Sequence, residues 1–209
     1  MNVEKRDFDK EASAWDTPPR VKLAEDIAAE ILKRVELSRR MDVLDFGCGT
    51  GLIALQLAPH VRSVTGADTS KGMLEVFQEK ITAKGISNNK TLHLDLTDGA
   101  ALLGPYHLIV SSMTIHHVRD VCALLKTFYQ ALLSGGRIAI ADLDKEYGKF
   151  HSNNDGLFHF GFDREELARM FQEAGFTGVS SSTAAEVSKP TADGTERTFS
   201  VFLITGSKK

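Results

Sequence analysis

The chain has 209 residues, 42% hydrophobic and 25% charged, a balance that suits a globular protein with a sizeable core and excludes disordered and fibrous classes. Its 25 Lys and Arg stand against 28 Asp and Glu, a formal charge of −3 with no block of like charges, so the basic stripe of a nucleic-acid binder is missing. Two cysteines, Cys48 and Cys122, without a CxxC pair exclude a disulfide framework and point to a reduced, cytoplasmic setting. Residues 1–10 are charged rather than apolar and no window holds ~18 apolar residues, so neither a secretion signal nor a membrane span is expected.

Pro18 and Pro19 open an amphipathic helix in which Ala24, Ile27, Ala28, Ile31, Leu32 and Val35 recur at helical spacing. Asp42 to Phe46 is a short strand, broken by Gly47, Gly49 and Gly51 and followed by a helix through Leu52, Ile53, Leu55 and Leu57. Ser63 to Asp68 is a second strand, and Ser70 caps a helix through Met73, Leu74, Phe77 and Ile81 toward Gly85. Lys90 to Leu94 and His107 to Ser111 read as strands, Val121 to Leu133 as a helix ending at Gly135 and Gly136, and Ile138 to Leu143 as a fifth strand. Strands alternating with helices predict a parallel α/β sheet. The rhythm then changes. A helix from Asp163 to Ala174, with Asp163 and Glu166 as a capping box, precedes two strands with no helix between them, Gly178 to Thr183 and Thr198 to Thr205. The polar turn Lys189 to Thr195 would join them as an antiparallel hairpin at the sheet edge.

The glycine turn Gly47-Cys48-Gly49-Thr50-Gly51 removes β-carbons where the backbone turns sharply against a ligand. It is not a dinucleotide GxGxxG, because the third glycine position is Leu52, and no P-loop GK[ST] follows. Asp45 before the turn and Asp68 after it lie at strand ends on one edge of the sheet. Two carboxylates there repel a pyrophosphate and suit an ammonium group and ribose hydroxyls, a combination that points to S-adenosylmethionine.

Val43-Leu44-Asp45-Phe46-Gly47-Cys48-Gly49-Thr50-Gly51 closely resembles the first motif of class I S-adenosylmethionine-dependent methyltransferases, and Val64 to Leu74 resembles their second. The resemblance implies a Rossmann-like, seven-stranded, mostly parallel sheet with helices on both faces and a C-terminal antiparallel hairpin. It implies one domain over 1–209: a helical cap at 1–40, a cofactor core at 41–143, an acceptor-side loop at 144–162, and the last helix and hairpin at 163–209. It also implies roles. Asp45 approaches the methionyl ammonium, the backbone from Gly47 through Cys48, Gly49 and Thr50 to Gly51 lies along the cofactor, and Asp68 with neighbouring Thr69 receives the ribose. Met73 flanks the adenine, Asp95 takes its amino group with Leu96 adding a backbone contact, and Ser111 meets the methionyl side. On the residues alone, the alternatives are a turn acid or helix cap for Asp95, whose strand-end position favours the cofactor role, a core residue for Met73, and a group that satisfies local backbone for Ser111.

Methyl transfer from a sulfonium is an in-line displacement helped by alignment and exclusion of water, and it needs a base only when the nucleophile arrives protonated. Imidazole is suited to that task, which makes His116 the candidate base; His117 is read as orienting the loop. The two histidines and Asp120 lack HExxH spacing, so no metal is expected. The run from Ser111 to Val118 resembles a broad group that includes quinone-biosynthesis methyltransferases, and it lacks the Asn-Pro-Pro-aromatic signature of nucleic-acid amine methyltransferases. A small-molecule acceptor is therefore expected, with Tyr147, His151 and His159 in the long loop, and Trp15 from the N-terminal segment, lining its pocket. Trp15 either closes over the site or anchors the first helix, and the loop aromatics either wall a pocket or staple the loop to the core. Two rival readings are a noncatalytic S-adenosylmethionine or S-adenosylhomocysteine binder and an NAD oxidoreductase, the second disfavoured by Leu52 and the hairpin.

Overall fold

The structure, a computed structural model, describes residues 7–96, 101–151, 153–190 and 194–209. Seven strands, β1 (Asp42–Phe46), β2 (Ser63–Asp68), β3 (Asn89–His93), β4 (Tyr106–Ser112), β5 (Leu132–Leu143), β6 (Thr177–Pro190) and β7 (Glu196–Ser207), form one sheet. Its spatial order is β3-β2-β1-β4-β5-β7-β6. The first five strands pair in parallel, and β7 is antiparallel to both β5 and β6.

Side chains alternate across this sheet, so each face builds its own core. Val43, Val64 and Leu108 pack on one face with Ile27 and Ile31 of α2 (Pro18–Arg34), Ile53 of α3 (Leu52–Leu57) and Phe77 of α4 (Lys71–Ala83). Leu44, Ile109 and Ile140 pack on the other with Leu125 and Phe128 of α5 (Val121–Ala131) and Phe171 of α6 (Arg164–Glu173). A short N-terminal helix, α1 (Phe8–Glu11), lies outside this sandwich. The caps follow local chemistry: the side chains of Ser70, Asp120 and Asp163 accept amides of the first turns of α4, α5 and α6. No helix among the described residues is long and apolar enough to cross a membrane.

The mostly parallel seven-stranded sheet and the closing hairpin match expectation, and three details differ. The helix expected to reach Leu133 stops at Ala131, and Leu132 already pairs with Tyr106; the register then jumps to Leu108 beside Arg137, so the Gly135-Gly136 segment is a bulge inside β5. Leu32, counted among the apolar face of α2, is 38% exposed. Strands β6 and β7 run well past the predicted limits, because polar cross-strand pairs such as Ser188 with Thr198, hydroxyls 2.8 Å apart, extend the ladder toward the hairpin end. Residues 191–193 of the expected turn lie outside the described residues.

Candidate active site

The cofactor end is built where β1 and β2 stop. The amides of Gly47 and Cys48 both donate to the Ala67 carbonyl, at 2.8 and 3.1 Å, which folds the glycine turn back across β2. Gly51 caps α3 at φ 80°, and a β-carbon there would lie 2.0 Å from Phe77 Cδ2, so packing alone requires glycine. Gly49 differs. It too has positive φ, but the nearest atoms to a β-carbon there would be Trp15 Nε1 at 3.9 Å and Met73 Sδ at 4.0 Å, so its open face is bordered by just these side chains.

Two carboxylates flank the turn in unlike states. Asp68 Oδ2 accepts the Gly49 amide at 2.8 Å and Oδ1 the Ser70 amide at 2.9 Å; burial raises its pKa, and these amides oppose the shift. Asp45 is 1% exposed, and neither of its oxygens has a hydrogen-bond partner among the described residues. Burial pushes its pKa up to about 7; the Ala54 amide, near but outside hydrogen-bond geometry, pulls against the rise, and Asp68 adds to it. Burial likewise raises the Cys48 thiol, reinforced by both aspartates. An orphaned buried carboxylate is costly by itself, and a cationic partner compensates it. The donor set therefore fits a ligand that carries a positive charge near Asp45 and hydroxyls near Asp68.

The other expected cofactor residues take distinct places. Thr50 is buried and its hydroxyl donates to Asp16 at 2.5 Å. Thr69 is exposed, and its carbonyl lies 3.0 Å from His93 Nε2. Met73 is buried with its sulfur toward Gly49. Asp95 and Leu96 sit half-buried just past β3. The Ser111 hydroxyl donates to the Phe46 carbonyl at 2.8 Å, the backbone-satisfying alternative.

The segment before α2 straps this end. Asp9 accepts from Ser70 Oγ at 2.6 Å and the Gly72 amide at 2.8 Å, at the start of α4. Asp16 pairs with Lys80, whose Nζ also donates to the Thr50 carbonyl at 2.9 Å. Trp15 is held between Arg20, whose guanidinium stacks 3.9 Å from the indole, and Phe8 at 5.8 Å between ring centroids. The indole lies beside the glycine turn and is also tied to Arg20 of α2, whose guanidinium donates to the Trp15 carbonyl at 3.0 Å, so contacts of both readings of Trp15 are present.

Phe8 links this end to a histidine cluster, its ring 5.4 Å from that of His117. The turn Ile115–His117 follows β4, and there His116, 2% exposed, places Nδ1 2.7 Å from Asp142 Oδ1 of β5. The rings of His117 and His151 lie 4.3 and 5.3 Å from that of His116. The loop after β5 is tied across this turn: the amides of Phe158 and His159 donate to the His116 carbonyl, and His159 Nε2 lies 3.0 Å from the Val118 carbonyl. Buried Glu146 accepts the amides of Gly148, Lys149 and Phe150, which fixes the bend before His151. Lys189 Nζ stands 3.7 Å from the Phe150 ring centre, its pKa lowered mainly by burial and opposed by Glu146, with Arg20 adding to the fall.

Expected residues His116, His151 and Trp15 thus belong to one connected wall, and His159 supports it through its amide and its ring. Tyr147 does not: the residue is 70% exposed and has positive φ beside the Glu146 bend. Sequence reasoning singled out the segment from Phe8 to Arg20 and missed Asp142 and Glu146. Asp142 gave no signal because it acts across the fold, 26 residues from His116, and Glu146 gave none because its partners are backbone amides of the bend that follows it. Among the described residues no group of three or more metal-ligating side chains is assembled.

The model of the methyltransferase domain family matches residues 20–181. An uncharacterized methyltransferase of Schizosaccharomyces pombe is 31% identical over 154 residues, which cover 66% of this chain and 54% of that protein. Demethylmenaquinone methyltransferase of Listeria monocytogenes is 25% identical over 181 residues, covering 72% of this chain and 76% of the relative. The match thus spans about half of the yeast protein and three quarters of the bacterial one. The crystal structure of an S-adenosylmethionine-dependent methyltransferase from Aquifex aeolicus superimposes with a TM-score of 0.71 at 18% identity, over 96% of this chain and 98% of that one. Sheet order and family match agree: the chain belongs to the methyltransferase domain family and has the fold of class I S-adenosylmethionine-dependent methyltransferases.

Proposed function

We propose that the chain transfers the methyl group of S-adenosylmethionine to a small-molecule acceptor lodged between the glycine turn and the His116, His117 and His151 rings. The observation that carries this reading is the open face of Gly49, bordered by Trp15 Nε1 and Met73 Sδ and connected through Phe8 to the histidines. A strap this close to the turn favours a compact acceptor over a polymer. Bound S-adenosylmethionine supplies an electrophilic methyl group on a sulfonium. Asp45 holds the adjacent positive charge, the backbone from Gly47 to Gly51 lies along the cofactor, Asp68 and Thr69 receive the ribose, and Met73, Asp95 and Leu96 bound the adenine. Trp15 and Phe8 exclude water, and the histidine wall orients the acceptor for in-line attack, where alignment in a well-ordered site is worth up to ~7–11 kcal/mol.

Calorimetric titration with S-adenosylmethionine, S-adenosylhomocysteine and NAD, followed by tritiated-methyl transfer into a metabolite extract and into total RNA, tests this reading. Binding of the two sulfur ligands but not NAD, with label in small molecules, is the expected result. Label in RNA overturns the small-molecule acceptor, and tight binding with no transfer to either pool favours a regulatory binder.

A further inference from the structure

Asp142 is fully buried in β5, and its Oδ1 also accepts the Leu143 amide at 2.7 Å while Oδ2 accepts the His116 amide at 3.3 Å. The carboxylate is therefore fixed by backbone before it meets the imidazole. A carboxylate only accepts hydrogen bonds, so the proton between it and His116 resides on Nδ1, and Nε2 presents a lone pair. Nε2 is buried and has no hydrogen-bond partner among the described residues. The titratable groups facing this ring are Asp142 from β5, His117 in the same turn and His151 from the loop after β5. A buried acceptor atom with no donor marks a place where a ligand's donor belongs.

We propose that the acceptor presents a hydroxyl group, phenolic or enolic, to His116 Nε2, that His116 is the catalytic base for O-methylation, and that Asp142 is its positioning residue; the inference rests on the methyl-transfer reading above. His116 takes the hydroxyl proton, and the acceptor oxygen keeps the O–H electron pair. That oxygen bonds to the methyl carbon as the carbon–sulfur bond breaks, its pair passing to sulfur. The proton remains on Nε2 beside the Asp142 carboxylate, which offsets the imidazolium charge, and leaves to water after product release. A hydroxyl is the acceptor that needs this arrangement: its nucleophilicity depends on proton loss during attack, whereas a neutral amine attacks through a lone pair it already has.

The test uses the full chain labelled with ¹⁵N-histidine, saturated with S-adenosylhomocysteine and recorded above pH 8.5. In the wild type the His116 ring is expected to carry its proton on Nδ1. In Asp142→Asn, whose amide can donate to Nδ1, the proton is expected on Nε2. Single-turnover transfer into the extract then falls by at least ~100-fold, the scale of general-base catalysis, while S-adenosylhomocysteine affinity stays within about threefold, as expected for a residue outside the cofactor set. Label recovered from wild-type reactions is expected in methyl ethers. A wild-type ring protonated on Nε2, an unchanged tautomer in a folded Asp142→Asn chain, or label recovered as N-methyl product overturns the proposal. An extract that takes no label counts against methyl transfer itself, and the wild-type tautomer, which needs neither a variant nor an acceptor, still decides the role of Asp142.

Discussion

Asp45 shows how one buried group trades stability for ligand recognition. Its pKa of about 7 in the folded chain lies above the ordinary 3.8, so between these values the folded state holds more protons than the unfolded one. The contribution of Asp45 therefore falls as pH rises from about 4 to about 7 and is flat above, with a ceiling of about 4 kcal/mol at 1.36 kcal/mol per pKa unit. Asp45→Asn, neutral and nearly isosteric, is expected to stabilise the ligand-free chain at pH 8 by about 1–3 kcal/mol and to change little at pH 4. Urea titrations at both pH values check this, and an equal effect at the two would show that charge burial is not the cause. The same carboxylate is expected to ionise when a cation arrives, so binding of S-adenosylmethionine near pH 6.5 should release a proton, visible as a dependence of the calorimetric heat on buffer ionisation enthalpy. Asp68→Ala leaves the Gly49 and Ser70 amides without their acceptor and is expected to weaken S-adenosylhomocysteine binding by about 10- to 100-fold, from ~1.5–3 kcal/mol per charged hydrogen bond partly recovered by water. Unchanged affinity in the folded variant would remove Asp68 from the site. Asp45 was legible because it stands just before the glycine turn, and Asp68 because it ends the next strand on the same edge of the sheet. Asp142 was not: it stands 26 residues beyond His116, and only the parallel register of Ser112 beside Ala141 brings the two together.

Among the elements, α1 and the residues up to Asp16 hold the cofactor end mainly by polar contacts and the Phe8 and Trp15 rings, since no residue of α1 is buried and Ala12 is the one buried residue of residues 7–16. Asp9 bridges to Ser70 and Gly72, and Asp16 to Thr50 and Lys80. Such a strap can open without disturbing the sheet, because little apolar area is lost when it does. Asp9→Ala is accordingly expected to speed protease cleavage within residues 7–17 while leaving the thermal midpoint close to wild type. Trp15, the only tryptophan, reports the same element: its emission should shift when S-adenosylhomocysteine binds, and should sit closer to that of a solvated indole in Asp9→Ala. A silent Trp15 on ligand addition would separate it from the cofactor. The strap was only half legible, as Pro18 and Pro19 marked the start of α2 whereas the partners of Asp9 and Asp16 lie 61 and 34 residues away. The ends of β6 escaped for a different reason: its half-exposed serines and threonines lack an apolar period, and pairing with the buried β7 carries them.

At the scale of the whole molecule, β7 decides whether the chain is one folding unit. It enters last yet lies between β5 and β6, and its Phe202 and Ile204 join the core on the α5 and α6 face while Val201 and Leu203 join the α2 face. Both cores therefore contain residues more than 150 positions apart, such as Leu44 with Phe202 and Val43 with Val201. Without β7, β5, buried from Ile138 to Leu143, becomes an edge strand with unpaired backbone and an apolar seam on each face. The hairpin should accordingly be indivisible from the cofactor-binding part. Phe202→Ala, which removes a fully buried ring, is expected to cost about 3–5 kcal/mol and to lower the unfolding midpoint of every probe together, including Trp15 fluorescence at the opposite end of the chain. Calorimetry of the wild type should give one transition whose van't Hoff and calorimetric enthalpies agree, and a chain ending at Phe162 should show no cooperative unfolding. A truncated chain that melts cooperatively and binds S-adenosylhomocysteine would instead make residues 1–162 an autonomous cofactor domain with the hairpin as an accessory to it.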